Sequence, residues 1–121
     1  MRTRSWFVLP PIVALALQVG VAFASAPPVG AIPAGPITQV TTPKGTLVAV
    51  ALPRKSGGLV WRLARNVDSA VLKESSEADV GPNVVIVFRA VGKGDAKIVF
   101  ALTRGERPHA YASVTQVVHV R

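Results

Sequence analysis

The chain has 121 residues, half of them hydrophobic and 17% charged, with a formal net charge of +8. That length holds one domain, and the apolar content excludes a disordered chain. The absence of cysteine excludes disulfides, thiolate metal sites, a cysteine nucleophile and a lipidated N-terminal cysteine, so an exported form must fold on its core alone.

The first segment reads as an export signal. Arg2 and Arg4 form a charged start, and Trp6 to Phe23 is uncharged and largely apolar. Ala22-Phe23-Ala24 and Ala24-Ser25-Ala26 both fit the small-x-small cleavage pattern. Cleavage after Ala26 would leave Pro27 at the first mature position, where its ring hinders the peptidase. The expected signal peptide is therefore 1–24, with Ser25 the new N-terminus. Arg2 and Arg4 are not adjacent, which favours the general secretory route over the twin-arginine route. The protein is expected in the periplasm or the medium, touching a membrane only through an uncleaved signal segment. Losing Arg2 and Arg4 lowers the charge to about +6 by the same counting. Residues 25–36 hold Pro27, Pro28, Pro33 and Pro36 among Gly and Ala. They read as a flexible extended leader, part of which packs along an edge.

The domain, 37–121, reads as short strands punctuated by Gly and Pro. Ile37 to Thr42 is rich in β-branched residues and ends at Pro43-Lys44-Gly45. Leu47 to Leu52 is apolar on both sides, as a strand covered on both faces or partly overlaid by the leader would be. Trp61 to Ala64 is a third strand, with Arg62 opposite to Trp61 and Leu63. Ala70 to Lys73 is a short fourth, followed by a loop-like Ser/Glu-rich stretch from Glu74 to Asp79. Val84 to Thr103 reads as a hairpin about Gly92-Lys93-Gly94-Asp95, with Val84, Ile86, Phe88, Ala90, Ala96, Ile98, Phe100 and Leu102 on its core faces. Tyr111 to Val120 closes the chain. About seven strands without helical periodicity predict an all-β, immunoglobulin-like antiparallel β-sandwich; a small barrel is the competitor.

No residues assemble into a reaction site. The two histidines, His109 and His119, have no carboxylate or second histidine at ligand spacing, and the acids are spread through loops and turns. Ser56 before Gly57 is no nucleophile elbow, and Gly57-Gly58 is too little for a phosphate loop. The chain reads as a non-enzyme with no catalytic residue, no metal and no cofactor. Its cations are scattered, with no aromatic-rich or zinc-binding module beside them, so nucleic acid is not an expected partner. Recognition on a sandwich falls to loops. The candidates are Pro53 to Val60, Ser75 to Asn83 and Arg104 to Ala110. All three are even-to-odd connections in the strand count and should share one end of the sandwich. Trp61 reads first as a structural anchor in the core, and Arg54, Lys55, Arg104 and Arg107 as solvated charges.

From Gly45 to Val120 the order of features resembles the chagasin-type inhibitors of papain-like cysteine proteases. Gly45-x-Leu47 leads into a strand ending Leu52-Pro53. Gly58-Leu59-Val60-Trp61 resembles the family's glycine followed by aromatic-x-Trp. A strand with Phe88 runs into a glycine turn, the next strand ends at Arg104, and an alternating valine strand follows. The binding motifs match in part. Ser56-Gly57 stands where the family has two threonines, and Leu59 where it has an aromatic. The glycine-rich second loop keeps Gly81 and Pro82. In the third loop, an Arg-Pro-Trp in the family, Arg104 is followed by Gly105-Glu106, and Arg107-Pro108 by His109. The resemblance implies a monomeric secreted inhibitor whose three loops occlude the cleft of a papain-like cysteine protease, the first loop lying over the catalytic cysteine. It places the protease-binding loops at Arg54, Lys55, Ser56, Gly57, Gly58, Leu59, Gly81, Pro82, Arg104, Gly105, Arg107 and Pro108. Two other readings of the same scaffold are a non-inhibitory immunoglobulin-like envelope or adhesion module and a basic binder of acidic surface polymers.

Overall fold

The structure, a computed structural model, describes residues 28–121; the expected signal peptide and the first leader residues lie outside the described residues. Seven strands form: β1 (Ile37–Thr42), β2 (Leu47–Pro53), β3 (Leu59–Leu63), β4 (Leu72–Val80), β5 (Asn83–Ala90), β6 (Gly94–Arg104) and β7 (Ala110–Val120). They make a four-stranded sheet, β1-β7-β6-β3, and a three-stranded sheet, β2-β5-β4. The predicted sandwich is therefore present. One pairing departs from antiparallel: β1 runs parallel to β7.

Alternation builds the core. Val48, Val50 and Leu52 of β2 and Ile86, Phe88 and Ala90 of β5 meet Ala96, Ile98 and Phe100 of β6 and Val118 and Val120 of β7. Phe88 and Phe100 come from opposite sheets, with ring centroids 6.4 Å apart and planes tilted by 60°, a favoured aromatic arrangement.

Three expectations are corrected. The Val84–Thr103 stretch is not a hairpin. β5 pairs with β2 and β4, while β6 pairs with β3 and β7, so the turn at Gly92 crosses between sheets. Both arrangements point the same alternate residues at one core, and alternation cannot separate them. The crossing is tight: a Cβ on Gly92 would lie 2.1 Å from the Ala70 carbonyl oxygen.

The stretch from Glu74 to Asp79 is strand rather than loop. β4 is an edge strand, and it lacks apolar alternation because, apart from Leu72 and the half-buried Glu74, both of its faces are exposed. A bulge between Glu74 and Ser76 resets its register. Glu74 pairs with Phe88, Glu77 with Ile86 and Asp79 with Val84; of these carboxylates Glu74 is half-buried, while Glu77 and Asp79 are exposed. Charges along an edge strand discourage edge-to-edge pairing. Burial, with Glu77 nearby adding to it, raises the Glu74 carboxyl to about 7.

β2 is covered on one face only. Val48, Val50 and Leu52 are buried while Leu47, Ala49, Ala51 and Pro53 are exposed. Small alanines on the solvent face made the strand read as two-sided.

The leader instead lies against the other sheet. Val29 is buried with Ala101 and Ala110, and Ile32 and Ala64 pack beside them. Gly30 N donates to Pro108 O at 2.8 Å. Arg65 donates to Val29 O at 3.3 Å and Gly30 O at 3.2 Å, and Ser113 Oγ to Pro33 O at 2.7 Å. A Cβ on Gly35 would lie 2.0 Å from Ser113 O, so only glycine lets the segment pass this close. This third layer covers Ala101 on the outward face of β6 and Ala110 of β7, both of which are buried.

Candidate functional site

The β2–β3, β4–β5 and β6–β7 connections are joined directly to one another. Arg54 N donates to Pro82 O at 2.9 Å, the Arg54 guanidinium donates to Gly81 O, and it lies 3.4 Å from Asp79. On the other flank Arg104 Nη1 donates to Gly57 O at 2.6 Å and Gly105 N to Gly58 O at 3.2 Å. The first loop thus sits between the other two. Arg54 and Arg104 brace it from either side, with their charge directed at neighbouring loop carbonyls.

The first loop has a narrow neck and an open tip. The Trp61 indole N–H donates to Pro53 O at 2.9 Å, tying β3 to β2, while the half-buried ring packs against the core. Lys55 and Ser56 are exposed at the tip. Gly57 and Gly58 both have φ of 78°, a conformation that residues with a Cβ adopt only at a cost. Nothing lies within 4 Å of a Cβ placed on Gly57, and one on Gly58 meets only Arg104 Nη1 at 4.0 Å. The free side of this backbone is open to another surface. Leu59 already belongs to β3, paired with Arg104, and is half-buried.

The second connection is shorter than expected, a two-residue turn of Gly81 and Pro82 between β4 and β5. Gly81 takes φ 58°, the positive value a tight hairpin needs in first position. The third connection runs from Gly105, φ 58°, to His109. Its Arg107 N donates to Arg104 O at 3.2 Å, and Arg107 and Pro108 are exposed.

Several residues at this end were not singled out from the sequence. Val60, Val80 and Tyr111 are 46%, 56% and 50% exposed, and each flanks one of the three connections. Tyr111 stacks edge-on with His109, ring centroids 4.6 Å apart, and Arg104 lies 5.7 Å over its ring. A tyrosine opening a strand just after a loop was the available signal. Arg62 was read only as facing away from Trp61. It is 7% exposed and donates to Thr103 Oγ1, Glu106 O and Arg107 O at 2.9, 3.1 and 2.8 Å.

At the opposite end His119 bonds Asp95 at 2.8 Å and Gln39 at 2.9 Å, and Arg121 reaches Asp95 at 3.0 Å. These contacts tie β1, β7 and β6 together. The His119 bond and then Arg121 hold the Asp95 carboxyl below its ordinary value. Among the described residues no group of three metal-ligating side chains comes together.

No family model and no curated protein matches the chain. Two solved structures are similar in fold. One is the cysteine protease inhibitor EhICP2 from Entamoeba histolytica, with TM-score 0.53, 19% identity, and 74% of this chain aligned to 99% of that one. The other is PbICP-C in complex with falcipain-2, with TM-score 0.51, 15% identity, and 76% of this chain aligned to 94% of that one. The chain shares the fold of chagasin-type cysteine protease inhibitors.

Proposed function

We propose that the protein is an exported inhibitor of papain-like cysteine proteases, acting through the loop end of the sandwich. The observation that carries this reading is the direct bonding of the three connections into one row, on a fold shared with two inhibitors. One of those was solved bound to falcipain-2, a cysteine protease. The first loop, with two successive glycines at positive φ, enters the cleft. Its backbone is held in a shape that an extended substrate strand does not take, so the occupied cleft cannot cleave it. Val60, Val80 and Tyr111 supply apolar area around the rim, the kind of surface that stabilises an interface once water is expelled. Because Arg54 and Arg104 already bond neighbouring loops, docking removes less hydration from them than from bare cations.

The test is titration of the mature chain, from Ser25, against a panel of papain-like proteases, with serine proteases as controls. Near-stoichiometric loss of activity in the first group alone is expected. Gly58→Trp or deletion of residues 54–57 should abolish it. No inhibition at micromolar protein would overturn the reading.

A further inference from the structure

Arg62 is a charged side chain in an unusual place. It sits on the outward face of β3 opposite Ala101, yet it is 7% exposed. A buried guanidinium is costly to desolvate, and a well-packed apolar side chain would serve stability as well or better. Its bonds show what its burial achieves. Nη2 donates to the successive carbonyls of Glu106 and Arg107 at 3.1 and 2.8 Å. Nε donates to Thr103 Oγ1 at 2.9 Å, and that hydroxyl in turn donates to Gly105 O at 2.7 Å. Thr103 is fully buried. One side chain on the strand behind the third connection thereby fixes, directly or through Thr103, the carbonyls of Gly105, Glu106 and Arg107. The planar, multi-donor geometry of guanidinium suits several carbonyls at once, which a lysine ammonium on a flexible stem does not match.

We infer that Arg62 is the positioning residue of the third loop: with Thr103 as relay, it holds 105–107 in the shape presented at the loop end, without touching the partner itself. This rests on the proposed inhibitory reading only for its consequence in binding; loop ordering is measurable in the free protein. Prepaying the ordering of a loop raises affinity by cutting the entropy lost on docking, and the gain falls mainly in dissociation rate.

The experiment compares wild type with Arg62→Met, Thr103→Val and Thr103→Ser. Thr103→Val keeps the side-chain shape and removes the hydroxyl; Thr103→Ser keeps the hydroxyl. Amide hydrogen exchange is read by residue in the free protein, and dissociation from an inhibited protease in parallel. Exchange at 105–107 and 109 should rise at least about tenfold in Arg62→Met and Thr103→Val while the β2 and β5 amides stay as in wild type. Thr103→Ser should behave as wild type. Dissociation from the protease should quicken about tenfold in the first two variants with association little changed. If Arg62→Met does not fold, Thr103→Val carries the test. Unchanged exchange in the third loop, or a uniform rise across both sheets, would overturn the inference. If wild type inhibits no protease, the inhibitory reading falls, while the exchange result still decides the role of Arg62.

Discussion

The Trp61 indole nitrogen lies 2.9 Å from the Pro53 carbonyl oxygen, closing the neck of the first loop between an edge strand of each sheet. Trp61→Phe keeps most of the apolar contact and removes this one bond. A neutral hydrogen bond contributes about 1 kcal/mol, which corresponds to a fall in Tm of roughly 4–8 °C for a domain of this size. Calorimetry checks the fall. Binding should suffer more than stability alone explains, because the neck sets the angle at which Gly57 and Gly58 are presented.

Arg104 joins the third connection to the first through Gly57 O and covers one face of Tyr111. Arg104→Met retains a long side chain but loses both the bond and the cation. Inhibition should weaken about tenfold, the usual cost of a charge-assisted hydrogen bond. Tm should change little, since Arg104 is exposed. Dissociation kinetics on the same protease panel separate the two effects.

Two glycines should respond differently to alanine. At Gly92 a Cβ would sit 2.1 Å from the Ala70 carbonyl, so backbone must move, and Gly92→Ala should cost about 1–3 kcal/mol, as overpacking does. At Gly57 the space is open and the penalty is one of φ alone, about 1–2 kcal/mol. Only Gly57→Ala should impair inhibition beyond its effect on stability. Urea denaturation and inhibition assays on the pair give both quantities.

Glu74 makes stability fall with rising pH. Its folded pKa, about 7, exceeds the ordinary 4.5, so between these values the folded state holds a proton that the unfolded state has lost. Stability therefore declines from pH 4.5 to 7 and levels off above. Glu74 is only half-buried, so solvent screening limits the effect to on the order of 1 kcal/mol. Glu74→Gln should flatten this limb and raise the denaturation midpoint at pH 7.5.

Asp95 acts in the opposite sense. Its folded pKa is depressed by His119 and Arg121, so its contribution is present above the ordinary carboxylate value and is lost as pH falls through the lower folded one. Asp95→Asn should shrink the loss of Tm between pH 5 and 2 without altering inhibition, because the cluster lies at the far end of the sandwich.

Much of this arrangement was legible from period-two alternation. The core faces of β5 and β6 follow it residue by residue, and the strand count placed three connections at one end. What escaped were relationships that spacing does not carry. The β5–β6 crossing between sheets looks the same in sequence as a hairpin. β4 was hidden because an edge strand exposed along most of its length has no apolar period, and its bulge breaks what parity remains. His119 and Asp95 are 24 residues apart, and Arg62 lies more than 40 residues from the loop it holds. For the same reason Arg54 and Arg104 read as solvated cations until their bonds to neighbouring loops were visible.

The segment from Val29 to Pro36, lying across the outer face of β6 and β7, sets where this domain can be shortened. Cutting at Ile37, the first strand residue, would uncover Ala101, Ala110 and the Val29 contact they share, and would release Pro108 from Gly30. The third loop would lose its backing along with the sheet. A fluorophore or affinity tag therefore belongs before Val29, and a nick between Val29 and Pro36 would loosen the backing of the third loop, which Gly30 holds through Pro108.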